Sequence, residues 1–190
     1  MTPVEAEPRT PAPDASPALP SPSPGTGQRE VRYEYSRNLP SILAHLGASL
    51  LVSTYLAGKL VVVGVYQGAL ALSFHNFEQA MGVAVRRDRI AVGARNQVWF
   101  LRNAPDLAPR VEPVGQHDGY FLARSSHVTG DIHGHELAWA GDELWVVNTL
   151  FSCLCTLHEA YSFVPRWQPW FITVKNSPPP KGKEVSLARK

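Results

Sequence analysis

Short apolar runs separated by turns dominate the chain from Leu50 onward. Each run is rich in β-branched or aromatic residues, and turn signals such as Gln67-Gly68 and Gly141-Asp142 separate one run from the next. Strand-like runs at short, regular spacing predict an antiparallel all-β meander. The predicted strands are Leu51–Tyr55, Leu60–Tyr66, Ala69–Phe74, Met81–Val85, Ile90–Gly93, Gln97–Leu101, Glu136–Trp139, Leu144–Asn148, Ser152–Leu157 and Phe163–Trp167.

These runs fall into three groups, centred near Val62, Ala91 and Val146. Successive meanders of this kind predict the blades of a β-propeller, which are small sheets packed face to face. We therefore predict an all-β fold, a partial β-propeller of about three blades, with a β-sandwich as the alternative. Three blades leave two apolar sheet faces open, so we expect further blades or self-association to cover them. Ahead of the first group, Ser41 is predicted to cap a short helix.

The two ends of the chain differ in composition from the middle. The first 28 residues hold eight of the seventeen prolines and no aromatic residue, and the last segment contains Pro178-Pro-Pro180. Such segments bury too little apolar surface to offset the entropy lost on ordering. The sequence predicts a disordered Pro/Ala/Ser-rich tail over residues 1–30 and a disordered basic tail over 174–190. The propeller-like domain, expected to be incomplete, occupies residues 31–173.

The net charge of the chain comes from the predicted tails. The chain carries 18 basic and 16 acidic residues, for a net charge of +2, and five of the basic residues lie in the last 17 positions. The predicted domain is close to neutral and lacks a clustered Lys/Arg surface, so nucleic acid is not expected as a partner.

No membrane segment or secretory signal is predicted. The segment 50–72 is apolar for most of its length, but Lys59 and three glycines interrupt it, which favours paired strands over a membrane helix. We expect no membrane partner and a cytoplasmic protein. Cys153 and Cys155 share one face of a predicted strand and are expected to be small buried residues rather than a redox or metal pair.

The densest chemistry lies between His127 and Glu136. If residues 131–135 are extended, the side chains of Asp131, His133 and His135 fall on one face, since side chains alternate along a strand. Two imidazoles and a carboxylate suit a divalent metal such as Zn²⁺, Fe²⁺ or Mn²⁺. The candidate metal ligands are therefore His127, Asp131, His133 and His135. The alternative is a polar loop whose side chains satisfy nearby backbone groups.

A candidate ligand site overlaps this cluster. Tyr120 and Arg124 precede it in a predicted loop, in position to contact an anionic or sugar-like molecule. The alternative is that Tyr120 closes a turn and Arg124 pairs with Asp131. The predicted ligand-binding residues are Tyr120, Arg124, His127, Asp131 and Glu136.

Several short motifs in one order carry a family resemblance. They include Asp118-Gly-Tyr-Phe121, His127-Val-Thr-Gly-Asp131-Ile, His135-Glu-Leu-Ala-Trp139 and Ser162-Phe-Val-Pro-Arg-Trp167. The chain resembles an uncharacterised bacterial family of conserved hypothetical proteins, TIGR03032, a domain of unknown function. The resemblance implies a β-propeller-like fold without an established activity. Members resembling this chain are longer and continue with further blades, which implies a truncated product here. The chain departs from their pattern at Glu136, where Asp is expected.

Two functional hypotheses follow. The first is a propeller-type domain that binds an unknown small molecule or protein, in a truncated family member. The alternative is a metal-dependent enzyme, hydrolase or lactonase-like, using the cluster from His127 to His135. The sequence contains no nucleophile elbow, phosphate-binding glycine loop or dinucleotide fingerprint.

Overall fold

A computed structural model describes residues 31–171 of the chain. The two predicted tails, 1–30 and 174–190, lie outside the described residues. The chain divides into two units, residues 1–35 and 36–190. In the described part of the first unit, the rings of Tyr33 and Tyr35 stack with their centroids 6.0 Å apart. The helix and all the described strands belong to the second unit.

The second unit is mostly β structure, which confirms the all-β part of the predicted fold. One helix, α1 (Leu39–Leu46), precedes the described strands. The strands are β1 (Leu50–Thr54), β2 (Lys59–Tyr66), β3 (Ala69–Asn76), β4 (Val83–Val85), β5 (Arg89–Gly93), β6 (Gln97–Asn103), β7 (Phe121–Val128), β8 (Gly134–Ala140), β9 (Glu143–Asn148), β10 (Cys153–His158) and β11 (Tyr161–Trp167).

The described strands form three antiparallel sheets, each built from consecutive strands. The first sheet has the order β1-β2-β3, the second β4-β5-β6-β7 and the third β8-β9-β10-β11. Val62, Ala91 and Val146 each lie in a different sheet, so the predicted grouping into three meanders is confirmed. The apolar segment 50–72 belongs to the first sheet. No helix within residues 31–171 is long and apolar enough to cross a membrane.

The second sheet packs between the other two. Ile90 and Val92 of β5 belong to one core cluster with Leu60 of the first sheet. Ala91, between them, belongs to a second cluster with Val146 and other residues of the third sheet. Alternate side chains of a strand point to opposite faces, and β5 is therefore buried on both. Its central position explains why Ala91 and Val92 are completely buried.

The predicted cap of α1 is wrong in detail. Asn38 occupies the N-cap position without a side-chain hydrogen bond to the backbone, and Pro40 stands in the first turn. Proline fits there because its missing N–H would have no partner inside the helix. The helix thus begins before Ser41. It ends at Gly47, whose left-handed conformation (φ 56°) is typical of a glycine cap.

The predicted loop around Arg124 is also wrong, because Arg124 lies within β7. This strand pairs along its length with β6, with a register shift between Phe100 and Leu101. The central residues of β7, from Ala123 to Ser126, are exposed. They lack the alternation of apolar and polar residues that identifies a half-buried strand. Backbone pairing to β6 makes this segment a strand, and the order of its side chains does not predict one.

Candidate functional site

A cleft of about 220 Å³ opens at one end of the sheets. We call it the turn cleft, because turns and connections between strands supply most of its lining. The lining residues are Tyr55, Gln79, Met81, Ala94, Arg95, Asp131, His133, Gly134, His135 and Thr149.

The turn cleft draws equivalent turns from all three sheets. Tyr55 directly follows β1, Arg95 lies between β5 and β6, and Thr149 directly follows β9. The connections between sheets arrive at the same end: Gln79 lies between β3 and β4, and Asp131 lies between β7 and β8. β1, β5 and β9 are thus equivalent strands, because each is followed by a turn that lines the cleft.

A contact away from the turn cleft supports the same correspondence. Arg86, in the β4–β5 turn, lies 2.7 Å (Nη1) from Oδ1 of Asp142, in the β8–β9 turn. The same Nη1 donates to the carbonyl of Gly141 at 2.6 Å. In an antiparallel meander these turns lie at the ends of β5 and β9 away from the cleft. The second and third sheets therefore lie side by side in one orientation.

Arg95 is the only arginine among the described residues that line the turn cleft. Its Nη1 lies 3.2 Å from Oε1 of Glu78, and its Nε lies 3.9 Å from Oδ2 of Asp131. The backbone N–H of Arg95 also donates to the carbonyl of Glu78 at 2.9 Å. The side chain of Arg95 is 47% exposed, so water screens both ion pairs and each contributes at most about 1 kcal/mol to stability.

His133 stands beside the same carboxylate. Its Nε2 lies 3.5 Å from Oδ1 of Asp131. Its backbone carbonyl accepts a hydrogen bond from the hydroxyl of Thr149 at 2.7 Å, which ties the β7–β8 connection to the turn after β9. The backbone of His133 has φ 49°, in the left-handed region. The position of this imidazole is therefore set by a turn.

The predicted extended conformation of residues 131–135 is wrong. Gly130 (φ 70°) and His133 (φ 49°) both have left-handed backbones, and β8 begins at Gly134. The side chains of Asp131, His133 and His135 are consequently not brought to one face by strand alternation. All three still line the turn cleft, because the chain turns into it before β8 starts.

The remaining predicted site residues lie outside the lining of the turn cleft. His127 is in β7, and its Nε2 lies 2.8 Å from the carbonyl of Ser162 in β11. Arg124 is exposed in β7, and Asp131 faces Arg95 instead of Arg124.

Tyr120 and Glu136 are outside the cleft lining as well. The backbone carbonyl of Tyr120 accepts the N–H of Ala104 at 2.7 Å. Glu136 is exposed on β8, where its Oε1 lies 3.4 Å from Nδ1 of His135. The register of β8 with β9 shifts between Gly134 and Leu137, so strand alternation does not separate the side chains of Glu136 and His135.

The predicted metal set is not assembled in this structure. Asp131, His133 and His135 line the turn cleft and His127 does not. Within residues 31–171, no group of three or more His, Cys, Asp or Glu side chains is arranged to hold a metal ion.

Sequence reasoning missed most of the turn cleft. Tyr55, Arg95 and Thr149 were not predicted as site residues, although each stands just after the corresponding strand of its sheet. Comparing equivalent turns in the three groups of runs is the signal that would have found them. Gln79 and Met81 carry no comparable signal.

The two cysteines lie in the core. Cys153 and Cys155 are free and buried on β10. Burial raises the pKa of the Cys155 thiol to about 11, and burial also raises the pKa of Cys153. A protonated, inaccessible thiol is a poor nucleophile. The prediction that these are small buried residues is confirmed.

The comparisons with known proteins place the chain in a family without a known activity. Residues 37–178 match the model of a family described as a domain of unknown function, DUF4915. No curated protein and no solved structure matches the chain. The matched segment contains all three sheets and every residue of the turn cleft. The chain therefore belongs to the DUF4915 family.

Proposed function

We propose that the three sheets are consecutive blades of a β-propeller and that the turn cleft binds a small polyhydroxylated acid, such as a sugar acid. The propeller arrangement is supported by the meander order within each sheet, by the packing of the second sheet between its neighbours, and by the equivalent turns at one end.

The approach of β4 to β8 supports the same arrangement. A Cβ atom added at Gly82, just before β4, would lie 2.8 Å from the backbone nitrogen of Leu137 in β8. β4 and β8 are the first strands of their sheets. In a propeller the first strands of successive blades line one central channel and come close together. The turn cleft then opens at one mouth of that channel.

The contacts of Arg95 with Asp131 and of Asp131 with His133 carry the ligand assignment. Arg95 offers five N–H donors; Glu78 and Asp131 face Nη1 and Nε. Within the described residues no partner faces its Nη2, which is free to donate to a ligand carboxylate. Asp131 accepts hydrogen bonds from hydroxyl groups, and the two imidazoles donate or accept.

The volume limits the ligand to a small molecule. The turn cleft measures about 220 Å³, below the ~300 Å³ at which pockets for drug-sized ligands begin. Besides Tyr55, six of the ten lining residues have polar or charged side chains, while apolar atoms make up the larger part of the exposed lining. We do not propose the metal-dependent enzyme, since His127 lies away from the other three predicted ligands.

Thermal unfolding of the full-length chain with three separate additions tests the proposal: sodium glucuronate, glucose and inorganic phosphate. Glucuronate is expected to raise the Tm most, because it offers both a carboxylate and hydroxyl groups. Replacing Arg95 by Ala should abolish the shift. Arg87→Ala is the matched control, since Arg87 is exposed in the β4–β5 turn and does not line the cleft.

Each outcome decides between ligand classes. A shift with glucose alone overturns the acid requirement, and a shift with phosphate alone overturns the hydroxyl requirement. Equal loss of the glucuronate shift in Arg95→Ala and Arg87→Ala shows that binding is not at the turn cleft. No shift with any of the three additions overturns the proposed function.

A further inference from the structure

The turn cleft offers apolar surface as well as charged groups. Its lining includes Met81, Ala94 and the ring of Tyr55, and apolar atoms make up the larger part of the exposed lining. The backbone N–H of Met81 donates to the carbonyl of Gly93 at 3.1 Å, which fixes the Met81 backbone beside β5. The unbranched thioether of methionine adapts its shape to an apolar group. A ligand that consists only of a polar acid leaves this part of the lining unused.

Two exposed leucines adjoin the cleft at equivalent positions. Tyr55 and Thr149 line the cleft and directly follow the equivalent strands β1 and β9. The next residues along the chain are Leu56, which is 97% exposed, and Leu150, which is 41% exposed. Phe151, beside Leu150, is 49% exposed. We call Leu56, Leu150 and Phe151 the apolar rim of the turn cleft.

The tight turns at the other end of the strands have no large apolar residue. They are residues 67–68, 86–88, 141–142 and 159–160, and they contain only Gln, Gly, Arg, Asp, Glu and Ala. A single exposed apolar residue is common on a protein surface and needs no explanation. Matching leucines in two turns beside one cleft, with none in the turns at the opposite end, indicate a function at the cleft.

We propose that the ligand of the turn cleft is a sugar acid joined to an apolar group, which lies against the apolar rim. The inference rests on the proposed function and narrows its ligand class. The acid binds at Arg95 and Asp131, as described above. The cleft measures only about 220 Å³, so a group attached to the sugar extends beyond it onto the turns at its edge. Contact with this group removes the exposed leucine side chains from water, which favours binding.

The charges at this end of the fold favour a small molecule over a membrane. Glu78 and Asp131 accompany Arg95 beside the apolar rim. A surface that binds membranes combines apolar residues with an excess of basic ones. Two carboxylates beside one guanidinium do not provide that excess.

Calorimetric titration of the full-length chain with two glycosides tests the inference. Methyl β-D-glucuronide and hexyl β-D-glucuronide have the same acidic head and differ only in the length of the alkyl group. The hexyl compound is expected to bind at least about tenfold more tightly, because its additional methylene groups leave water on binding. Its binding should also show the more negative heat-capacity change, which is the mark of buried apolar surface.

Replacing the two leucines by serine tests where the alkyl group lies. In Leu56→Ser/Leu150→Ser the two glycosides should bind with nearly equal affinity, and the affinity for the methyl compound should stay at the wild-type value. Val114→Ser is the matched control, at an apolar position 63% exposed in the β6–β7 connection, and should keep the wild-type preference. Urea denaturation of each variant shows whether folding is retained.

The outcomes separate this inference from the proposed function. Binding of glucuronate without any preference for the hexyl compound overturns the inference and leaves the proposed function standing. A preference that survives in Leu56→Ser/Leu150→Ser also overturns it, because the alkyl group then lies elsewhere. Absence of binding by glucuronate and by both glycosides overturns the proposed function and the inference together.

Sedimentation with vesicles of neutral phosphatidylcholine tests the competing explanation of the rim. The wild-type chain is expected to remain in solution. Sedimentation of the wild type that is lost in Leu56→Ser/Leu150→Ser would show that the rim contacts a membrane, and would overturn the inference.

Discussion

The Oδ1 atom of Asp131 lies 3.5 Å from Nε2 of His133, although no strand aligns the two residues. The left-handed backbone of His133 turns its imidazole toward the carboxylate, and Thr149 holds the turn by a hydrogen bond to the His133 carbonyl. Arg95, from the adjacent sheet, faces the other carboxylate oxygen at 3.9 Å. The β5–β6 turn and the β7–β8 connection thus contribute side chains to one cluster of polar contacts.

Replacing Asp131 by Asn should affect binding far more than stability. The carboxylate is 46% exposed, so its ion pairs contribute no more than about 1 kcal/mol to folding. A hydrogen bond from a ligand hydroxyl to this carboxylate contributes roughly 1.5 to 3 kcal/mol, so the affinity for glucuronate should fall at least about tenfold. Calorimetric titration and chemical denaturation measure the two effects. A large loss of stability with unchanged affinity would show that Asp131 is a structural residue.

Replacing Gly82 by Ala should destabilise the fold. The new Cβ would lie 2.8 Å from the backbone nitrogen and Cγ of Leu137, closer than real Cβ contacts allow. β4 and β8 must therefore separate, at a cost of about 1–3 kcal/mol, as for other overpacked cores. Gly119→Ala is the control, because the nearest atom there is a Phe121 ring carbon at 3.7 Å. Urea denaturation measures both variants, and equal midpoints would contradict the close approach.

The Cys155 thiol should make stability fall at high pH. Its pKa rises from 9.0 to about 11 on folding, because burial disfavours the thiolate. The stability it contributes is fully present below pH 9.0 and is lost as the pH rises toward 11. The free energy of unfolding should therefore decline more steeply over this window in the wild type than in Cys155→Ala. Parallel declines in the two proteins would remove the thiol as the cause.

Replacing Arg86 by Ala should weaken the contact between the second and third sheets. Arg86 donates to Asp142 and to the carbonyl of Gly141, and its guanidinium lies 5.7 Å from the centroid of the Trp139 ring. The side chain is 34% exposed, so we expect a loss of roughly 1 kcal/mol. Arg87→Ala, at an exposed position beside it, should cost less. Denaturation midpoints compare the two, and an equal cost would show that the contact is not stabilising.

The sequence predicted the sheets well and the site incompletely. Continuous apolar runs such as Ile90–Gly93 identify buried strands because both faces of such a strand lie in the core. β7 escaped prediction because backbone pairing alone defines its exposed centre. The turn cleft was predicted in part, since Asp131, His133 and His135 lie close together in the chain.

The rest of the turn cleft arises from the packing of the sheets. Arg95 meets Asp131 because the β5–β6 turn and the β7–β8 connection arrive at the same end of the fold. Residues 36 positions apart carry no local signal of that contact. The sequence also gives no sign of the close approach at Gly82, because the atoms that an added Cβ would meet belong to β8.

Nuclear magnetic resonance of the histidine side chains tests the central claim, that the turn cleft is a ligand site, most directly. The chain has seven histidines, and two of them, His133 and His135, line the cleft. Addition of sodium glucuronate at constant pH should shift the imidazole signals of these two and leave those of His45, His75, His117, His127 and His158 in place. Unchanged signals for His133 and His135, or equal shifts at all seven, would contradict the account.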